Sequence, residues 1–194
     1  MGYYDRHAVE FCDNTFTVDV SALYVPFLRE IPDGGAILDA GCGSGRDSLA
    51  FLRRGYRVVS IDASREMVAA ATKHTGQQAL LLAFDESAFT YEVDGIWACG
   101  SLVHVARRDL HSVFTRFSRT LRTNGVIYLS LKYGDKERME EERSFNDMND
   151  ATLGCFSVAT PNSKWCRIGS PRTFATMREA LERSQRAGSP ECHG

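Results

Sequence analysis

The sequence lacks the long apolar run that a membrane span or a secretion signal requires. No apolar stretch approaches the ~20 residues that cross a bilayer, and the N-terminal MGYYDRHAVEFCDN is polar and charged. Net charge is nearly absent as well, because 23 basic and 25 acidic side chains leave a formal charge of -2. Without a basic field, attraction to the phosphate backbone of a nucleic acid is weak. We therefore expect a cytoplasmic protein with no membrane partner, and a nucleic-acid partner is disfavoured because it would need a local basic patch.

Cysteine pairs at metal-ligand spacing are also missing. The six cysteines are scattered along the chain at Cys12, Cys42, Cys99, Cys155, Cys166 and Cys192. They form no CxxC pair and have no histidine nearby at the spacing of a metal site. A cytosolic setting keeps thiols reduced. We expect free thiols and no metal centre.

Short apolar segments alternate with longer segments of helical period from Ala36 onward, the pattern typical of a mainly parallel sheet covered by helices. Predicted strands are residues 36–39, 57–62, 79–84, 94–99 and 125–132. The helix after the second strand should begin at Ser64, a good N-cap, and stop at Gly76. A chain of 194 residues is long enough for one such core and short for two. The prediction is a single, doubly wound α/β domain.

The two ends of the chain depart from this alternation. Residues 1–35 contain two helical segments, 3–12 and 21–30, that we expect to cover the core of residues 36–150. Residues 151–194 form a divergent segment in which CFSVAT, at 155–160, favours a strand and 173–187 favours a helix. TPNSKWCRIGSPRTF reads as irregular, and the run KERMEEER, at 136–143, reads as a solvated mobile loop.

A glycine-rich turn joins the first strand to the following helix in AILDAGCGSGRDS, residues 36–48. Gly41 permits the tight turn, Gly43 lets the backbone approach a ligand, and the helix N-terminus offers exposed N–H groups. A nucleotide-like ligand is therefore expected. The dinucleotide fingerprint fails, because Arg46 stands where its third glycine would fall. An NAD-binding oxidoreductase is disfavoured.

Two aspartates sharpen the choice of ligand. Asp39 ends the strand before the turn, where it would repel a pyrophosphate and suit the ammonium and sulfonium charges of S-adenosylmethionine (SAM). Asp62 ends the second strand, where a carboxylate can accept hydrogen bonds from both hydroxyls of a ribose. Both lie at carboxyl ends of strands, the rim at which open α/β sheets bind ligands.

The segments ILDAGCGSG, SIDAS and DGIWACGSLVHV together resemble the class I SAM-dependent methyltransferases, which have a Rossmann-like fold. Within them the chain is most similar to the small bacterial tellurite-resistance and thiopurine-type group. The likeness extends from about Tyr4 to Asp150. It implies direct in-line transfer of the SAM methyl group to a thiol, hydroxyl or metalloid acceptor, with S-adenosylhomocysteine as product.

The resemblance also implies which residues bind the cofactor. Asp39, Gly41, Cys42 and Gly43 would surround its methionine end, with Arg46 following them in the loop. The further cofactor residues are Asp62 at the ribose, Ala63 and Met67 on one face of the adenine, Asp85 or Glu86 at the adenine amino group, and Cys99 and Ser101 near the methyl group.

Two residues are candidates for catalysis. His104 would lie beside the acceptor, where it could act as a general base or serve only in packing. Tyr133, with Lys132, leaves the fifth strand at the same rim and could orient the acceptor or be a plain loop residue. Tyr4 and Thr15 could close over the cofactor if the N-terminal helices form a lid. A soft acceptor would need no indispensable catalytic residue at all.

The divergent C-terminal segment supports a second hypothesis, a non-catalytic SAM-binding or nucleotide-binding domain. Without a terminal hairpin, the edge of the fifth strand would be exposed, with substrate binding impaired and dimerisation favoured. We therefore leave open a monomer or a homodimer. A nucleic-acid amino-methylase is disfavoured, because ACGSLVHV stands where an (N/D)PP(Y/F) sequence would be required.

Overall fold

The computed structural model describes residues 2–86 and 92–149, together with the backbone of residues 164–167. Its centre is a six-stranded sheet made of β1 (Ala36–Ala40), β2 (Arg57–Asp62), β3 (Leu80–Leu81), β4 (Val93–Cys99), β5 (Leu121–Ser130) and β8 (Lys164–Arg167). The strand order is β3-β2-β1-β4-β5-β8, and the five pairings are all parallel. The predicted mainly parallel, Rossmann-like sheet is confirmed.

The helices of the described residues are α1 (Tyr3–Arg6), α2 (Ala8–Phe16), α3 (Ser21–Leu28), α4 (Arg46–Leu52), α5 (Arg65–Thr75) and α6 (Arg107–Thr120), with a short 3-10 helix at Leu102–His104. Helix α5 begins where the sequence predicts, because the Ser64 hydroxyl oxygen accepts a hydrogen bond from the Met67 N–H at 3.3 Å. None of these helices is long and apolar enough to cross a membrane.

The core has two apolar layers because successive side chains of a strand point to opposite faces of the sheet. Ile96 and Ile127 pack in one layer with α6. Their neighbours Trp97 and Tyr128 turn to the other layer, where their rings stack at a centroid distance of 3.7 Å. Phe27 of α3 closes this second layer against Trp97, at 5.0 Å between ring centroids. Together the layers cover both faces of the sheet.

Two strands differ in length from the sequence prediction. β3 has two residues, because the chain leaves the sheet after Leu81 and forms a loop beside the rim. β5 begins at Leu121, directly after α6, and carries an irregularity in its register opposite Val93–Gly95. Asn124 lies within this irregular part of β5 and has the left-handed conformation, at φ 66°.

The interpretation of residues 160–174 as irregular is wrong for four of them. The backbone of β8 pairs in parallel with β5, from Val126 opposite Lys164 to Leu129 opposite Arg167. The N–H and C=O groups along an edge strand favour such pairing. β5 is therefore not an exposed edge over this length. The strand predicted at 155–160 and the helix predicted at 173–187 lie outside the described residues.

The prediction that the charged run at 136–143 is a solvated mobile loop is also wrong. It belongs to an antiparallel hairpin of β6 (Glu137–Glu140) and β7 (Arg143–Asn146). Glu141 and Glu142 form its turn, both at positive φ. The buried Phe145 anchors β7, and three cations, Lys132, Arg138 and Arg143, lie against its ring.

Candidate active site

A cavity of about 740 Å³ opens at the carboxyl ends of β1, β2 and β4. Tyr4 of α1 and Phe11 of α2 form part of its wall. The residues singled out from the sequence that line it are Gly41, Gly43, Asp62, Ala63, Met67, Asp85, Cys99, Ser101 and His104. The remaining predicted site residues, Asp39, Cys42, Arg46, Glu86 and Tyr133, are not part of its lining.

The glycine loop is held to β2 by its backbone. The Ile61 carbonyl accepts hydrogen bonds from the N–H groups of Gly41 and Cys42, each at 2.9 Å. Gly41 has φ 79°, and a Cβ there would lie 2.3 Å from the Ser101 Cβ. Only glycine therefore allows the loop to approach the segment that follows β4 this closely.

Asp62 ties the loop to the start of α5. Its two carboxylate oxygens accept hydrogen bonds from the Gly43 N–H and the Ser64 N–H, both at 2.9 Å. Burial raises the pKa of Asp62, while these backbone donors lower it. A carboxylate has about four acceptor positions, so Asp62 keeps acceptor capacity at the cavity wall.

Asp39 lies beneath the loop rather than in the cavity wall. It is 2% exposed, and its Oδ2 accepts a hydrogen bond from the Ser48 hydroxyl at 2.6 Å. Because that proton is directed at Asp39, the Ser60 hydroxyl donates to the Ser48 oxygen across 2.7 Å. Burial raises the pKa of Asp39, and the nearby Asp47 adds to the effect.

Arg46 also turns away from the cavity. Its Nε donates to Asp47 Oδ1 at 2.7 Å, in a pair that is largely buried. Asp47 accepts three more hydrogen bonds, from Arg46 Nη2 at 3.0 Å, from the Tyr24 hydroxyl at 2.7 Å and from the Trp97 indole N–H at 2.8 Å. This network fixes the start of α4 to the second core layer. Cys42 is buried beside the loop, and burial raises the pKa of its thiol.

Asp85 and Glu86, the two alternatives for the acid at the adenine amino group, lie in different surroundings. Asp85 lines the cavity. The Glu86 Oε2 instead accepts a hydrogen bond from the Ala83 N–H at 3.0 Å, which caps the loop locally. Ala63 and Met67 both line the cavity, and Met67 is 1% exposed.

His104 is held between the hairpin and the N-terminal helix α1. Its Nδ1 lies 2.8 Å from the Ser144 carbonyl oxygen, and its Nε2 lies 2.6 Å from the Tyr4 hydroxyl oxygen. A carbonyl can only accept, so Nδ1 carries the proton, and the Tyr4 hydroxyl donates to the lone pair of Nε2. Burial lowers the pKa of His104 and raises that of Tyr4. His104 is therefore a neutral base whose basic nitrogen faces Tyr4.

Tyr133 does not reach this arrangement. Its side chain is 67% exposed, because β5 ends at Ser130 and the chain then turns toward the hairpin. The adjacent Lys132 lies over the Phe145 ring, with Nζ 4.1 Å from the centroid. The position after the fifth strand thus contributes to the hairpin rather than to the cavity wall.

Helix α1 bridges the two sides of the cavity. On one side the Asp5 carboxylate accepts a hydrogen bond from the Ser64 hydroxyl at 2.6 Å. On the other side Arg6 forms an ion pair with Glu142 at the hairpin turn. Helix α2 adds a hydrogen bond of 3.0 Å from the Thr15 hydroxyl to the Ser44 oxygen. The contact between α1 and the hairpin could not be predicted from the sequence, because the charged run at 136–143 resembles a solvated loop.

The described residues contain no group of three or more His, Cys, Asp or Glu side chains that could hold a metal ion. Three of the cysteines, Cys12, Cys42 and Cys99, are free thiols.

Comparison with known proteins relates part of this chain to methyltransferases. Residues 37–125 match a family model described as a methyltransferase domain. The malonyl-[acyl-carrier protein] O-methyltransferase of Hamiltonella defensa is 39% identical over 95 residues, which are 48% of this chain and 36% of that protein. The putative methyltransferase YqeM of Bacillus subtilis is 29% identical over 104 residues, which are 50% of this chain and 42% of that protein. The chain therefore spans less than half the length of either of these two curated relatives.

Solved structures share the fold at low sequence identity. A 1,6-didemethyltoxoflavin-N1-methyltransferase from Burkholderia thailandensis, with bound S-adenosylhomocysteine, superposes with a TM-score of 0.63 at 20% identity, covering 80% of this chain and 74% of that one. A TehB-like SAM-dependent methyltransferase from Corynebacterium glutamicum gives a TM-score of 0.62 at 16% identity, covering 80% of this chain and 82% of that one. The cavity described above lies on the fold that these two structures share with this chain.

Proposed function

We propose that this chain, whose residues 37–125 match a methyltransferase domain, binds SAM as its cofactor and transfers the methyl group to a small-molecule acceptor bound in the same cavity. The observation that carries the proposal is Asp62. Its carboxylate ends β2 at the cavity wall, is anchored by the Gly43 and Ser64 N–H groups, and keeps capacity to accept hydrogen bonds. Such a group suits a ribose, whose two hydroxyls both donate.

The cavity offers complementary surfaces on either side of Asp62. Ala63 and the buried Met67 provide an apolar surface for the adenine, and Asp85 can accept a hydrogen bond from its amino group. Gly41 and Gly43 leave room for the methionine end, because neither carries a side chain at the cavity wall. Cys99 and Ser101 also line the cavity, and Ser101 lies next to Gly41.

Asp39, Cys42 and Arg46 act from beneath the loop in this proposal. Asp39 bonds with Ser48 and Arg46 with Asp47 below the cavity wall, and the Cys42 side chain is buried. They hold the loop and the start of α4 in position and do not contact the cofactor directly. Tyr133 has no catalytic part, because its exposed side chain lies away from the cavity.

When bound, SAM supplies a methyl group on a positively charged sulfur that leaves as a neutral thioether. The chain has to align the acceptor, exclude water and accept a proton where the acceptor carries one. Neutral His104 meets the last need, since its Nδ1 proton is directed at Ser144 and its Nε2 is basic. Thiols, hydroxyls and metalloid oxyanions are the proposed acceptors.

The names of similar proteins do not choose among these acceptors. The relative from Hamiltonella defensa is an O-methyltransferase, and the Burkholderia thailandensis enzyme is an N1-methyltransferase. The TehB-like fold from Corynebacterium glutamicum supports our assignment to the tellurite-resistance and thiopurine-type group through shape alone. One argument for a non-catalytic binding domain, an exposed β5 edge, does not apply at residues 126–129, which β8 covers.

The test is a transfer assay with isotopically labelled SAM and a panel of thiol, hydroxyl and metalloid acceptors, with S-adenosylhomocysteine formation as the readout. The proposal predicts turnover with at least one acceptor and its loss in Asp62→Ala. A folded protein that binds S-adenosylhomocysteine and methylates no member of the panel would favour the binding-domain hypothesis instead.

A further inference from the structure

We propose that Tyr4 is a catalytic residue of this site, which takes the proton of the acceptor and passes its own proton to His104. This inference rests on the proposed function and narrows its substrate class to acceptors that arrive protonated, such as an alcohol, a phenol or an aliphatic thiol. It assigns the N-terminal helix α1 a part in the chemistry besides covering the cavity.

The positions of the protons follow from the contacts of His104. The Ser144 carbonyl can only accept, so the imidazole proton is on Nδ1 and Nε2 is left with a lone pair. The Tyr4 hydroxyl lies 2.6 Å from that lone pair and donates to it. Both side chains line the cavity. The Tyr4 oxygen keeps a lone pair of its own for a further donor.

Direct action of His104 on the acceptor is blocked by the same contact. The basic Nε2 is already occupied by the Tyr4 hydroxyl, so an acceptor can reach it only by displacing Tyr4. Displacement is opposed by the contacts that hold Tyr4. Its ring packs edge-on against Phe11 at 5.3 Å between centroids, and Asp5 and Arg6 on the same helix turn are tied to Ser64 and Glu142. The route through the hydroxyl needs no such movement.

The transfer step balances with one proton moved through two bonds. The acceptor atom X of X–H uses a lone pair to form the X–C bond to the methyl carbon, and the C–S bond breaks with its electron pair going to sulfur. The X–H proton passes to the Tyr4 oxygen as the Tyr4 proton passes to Nε2 of His104. The products are the methylated acceptor, S-adenosylhomocysteine and a protonated His104, which later releases its proton to water.

Charged groups act on both members of the pair. Burial raises the pKa of the Tyr4 phenol, and the Arg143 guanidinium of β7 acts in the opposite direction and lowers it. A guanidinium there stabilises the negative charge that develops on the Tyr4 oxygen. Burial lowers the pKa of His104, Arg143 and Lys132 lower it further, and Asp62 raises it, so the imidazolium is transient and regenerates the base.

The first test compares wild type, Tyr4→Phe and Tyr3→Phe with two probe acceptors. Thiophenol is largely ionised near neutral pH and has no proton to give up, whereas 2-mercaptoethanol is largely protonated. We expect Tyr4→Phe to lose roughly 10²- to 10⁴-fold in rate with 2-mercaptoethanol, the usual contribution of a general base, and to keep its rate with thiophenol. Tyr3→Phe is the matched control, because its hydroxyl bonds Glu141 at the surface. Equal losses with both thiols in Tyr4→Phe would overturn the relay.

The second test reads the hydrogen bond directly and needs no turnover. In the complex with S-adenosylhomocysteine, ¹⁵N NMR of labelled histidine should show His104 protonated on Nδ1. Because the Tyr4 hydroxyl donates to the neutral form, Tyr4→Phe should raise the pKa of His104, while Tyr3→Phe should leave it in place. An unchanged His104 pKa in Tyr4→Phe would refute the relay. Failure of the wild type to bind S-adenosylhomocysteine would instead refute the proposed function.

Discussion

The replacement Asp62→Asn should separate the role of this carboxylate in the loop from its role toward the cofactor. In the structure both oxygens accept backbone N–H bonds, at 2.9 Å from Gly43 and 2.9 Å from Ser64. An amide accepts through its oxygen only, so one N–H would face an NH₂ group. Loss of one hydrogen bond to a charged group costs about 1.5–3 kcal/mol, and we expect the free energy of unfolding to fall by that amount.

The affinity for S-adenosylhomocysteine should fall as well. A neutral amide offers a ribose fewer and weaker acceptor positions than a carboxylate. If one charge-assisted bond to the ribose is lost, its worth of about 1.5–3 kcal/mol corresponds to roughly a 10- to 100-fold increase in Kd, at 1.4 kcal/mol for each factor of ten. Isothermal titration calorimetry measures the Kd, and urea unfolding measures the stability.

Asp94→Asn is the matched control. Asp94 Oδ2 also accepts a backbone hydrogen bond, from the Ala36 N–H at 2.7 Å, but it lies at the opposite end of β1 and β4 and does not line the cavity. This variant should lose stability and keep its affinity for S-adenosylhomocysteine. If Asp62→Asn binds as tightly as wild type, or if both variants lose affinity equally, the assignment of Asp62 to the ribose is refuted.

Three further predictions concern the loop, the network beneath it and His104. Gly41→Ala should cost more unfolding free energy than Gly100→Ala, which shares a positive φ but has nothing within 4 Å of its new Cβ and should cost only about 1–2 kcal/mol; equal losses in urea unfolding would refute the close approach to Ser101. Asp47→Asn should lower the free energy of unfolding by roughly 3–5 kcal/mol, because it leaves a largely buried arginine without its counter-ion; a loss near zero would contradict this. His104 should titrate by NMR below the ordinary histidine pKa of about 6.5, so its contribution makes the fold less stable as pH falls through 6.5, and His104→Gln should remove that dependence. Titration at or above 6.5 would contradict the neutral state that we assign to the buried His104.

The parallel sheet could be predicted because its signals are local. β1, β2 and β4 are apolar segments with breaks at both ends, and their predicted bounds differ from the structure by one residue at most. The start of α5 could be predicted for the same reason, since the Ser64 cap acts within one helical turn. Local chemistry of this kind is visible in a sequence.

The cavity could be predicted only where residues project from the rim of the sheet. Gly41, Asp62 and Cys99 follow strands whose order is fixed by the α/β pattern, and all three line the cavity. Asp39 is also close to a strand end, but its carboxylate lies beneath the loop, where it accepts a hydrogen bond from the buried Ser48. Periodicity places a residue on a face and does not say what fills the space beside it.

The hairpin and its contacts could not be predicted because they depend on long-range pairing. The charged run at 136–143 resembles a solvated loop, yet Arg138 and Asp147 form an ion pair at 2.8 Å that ties the hairpin together. The Ser144 carbonyl then fixes the tautomer of His104, 40 positions away. A backbone oxygen has no signature in the sequence. β8 pairs with β5 by the same kind of backbone contact.

The most direct measurement is calorimetric titration of the purified chain with SAM, S-adenosylhomocysteine and NAD in parallel. Because Asp62 is our proposed ribose ligand and Arg46 stands in place of the third glycine of a dinucleotide fingerprint, we expect saturable one-to-one binding of SAM and S-adenosylhomocysteine and no binding of NAD. A folded protein that binds NAD, or that binds none of the three, would contradict the assignment of this cavity to SAM.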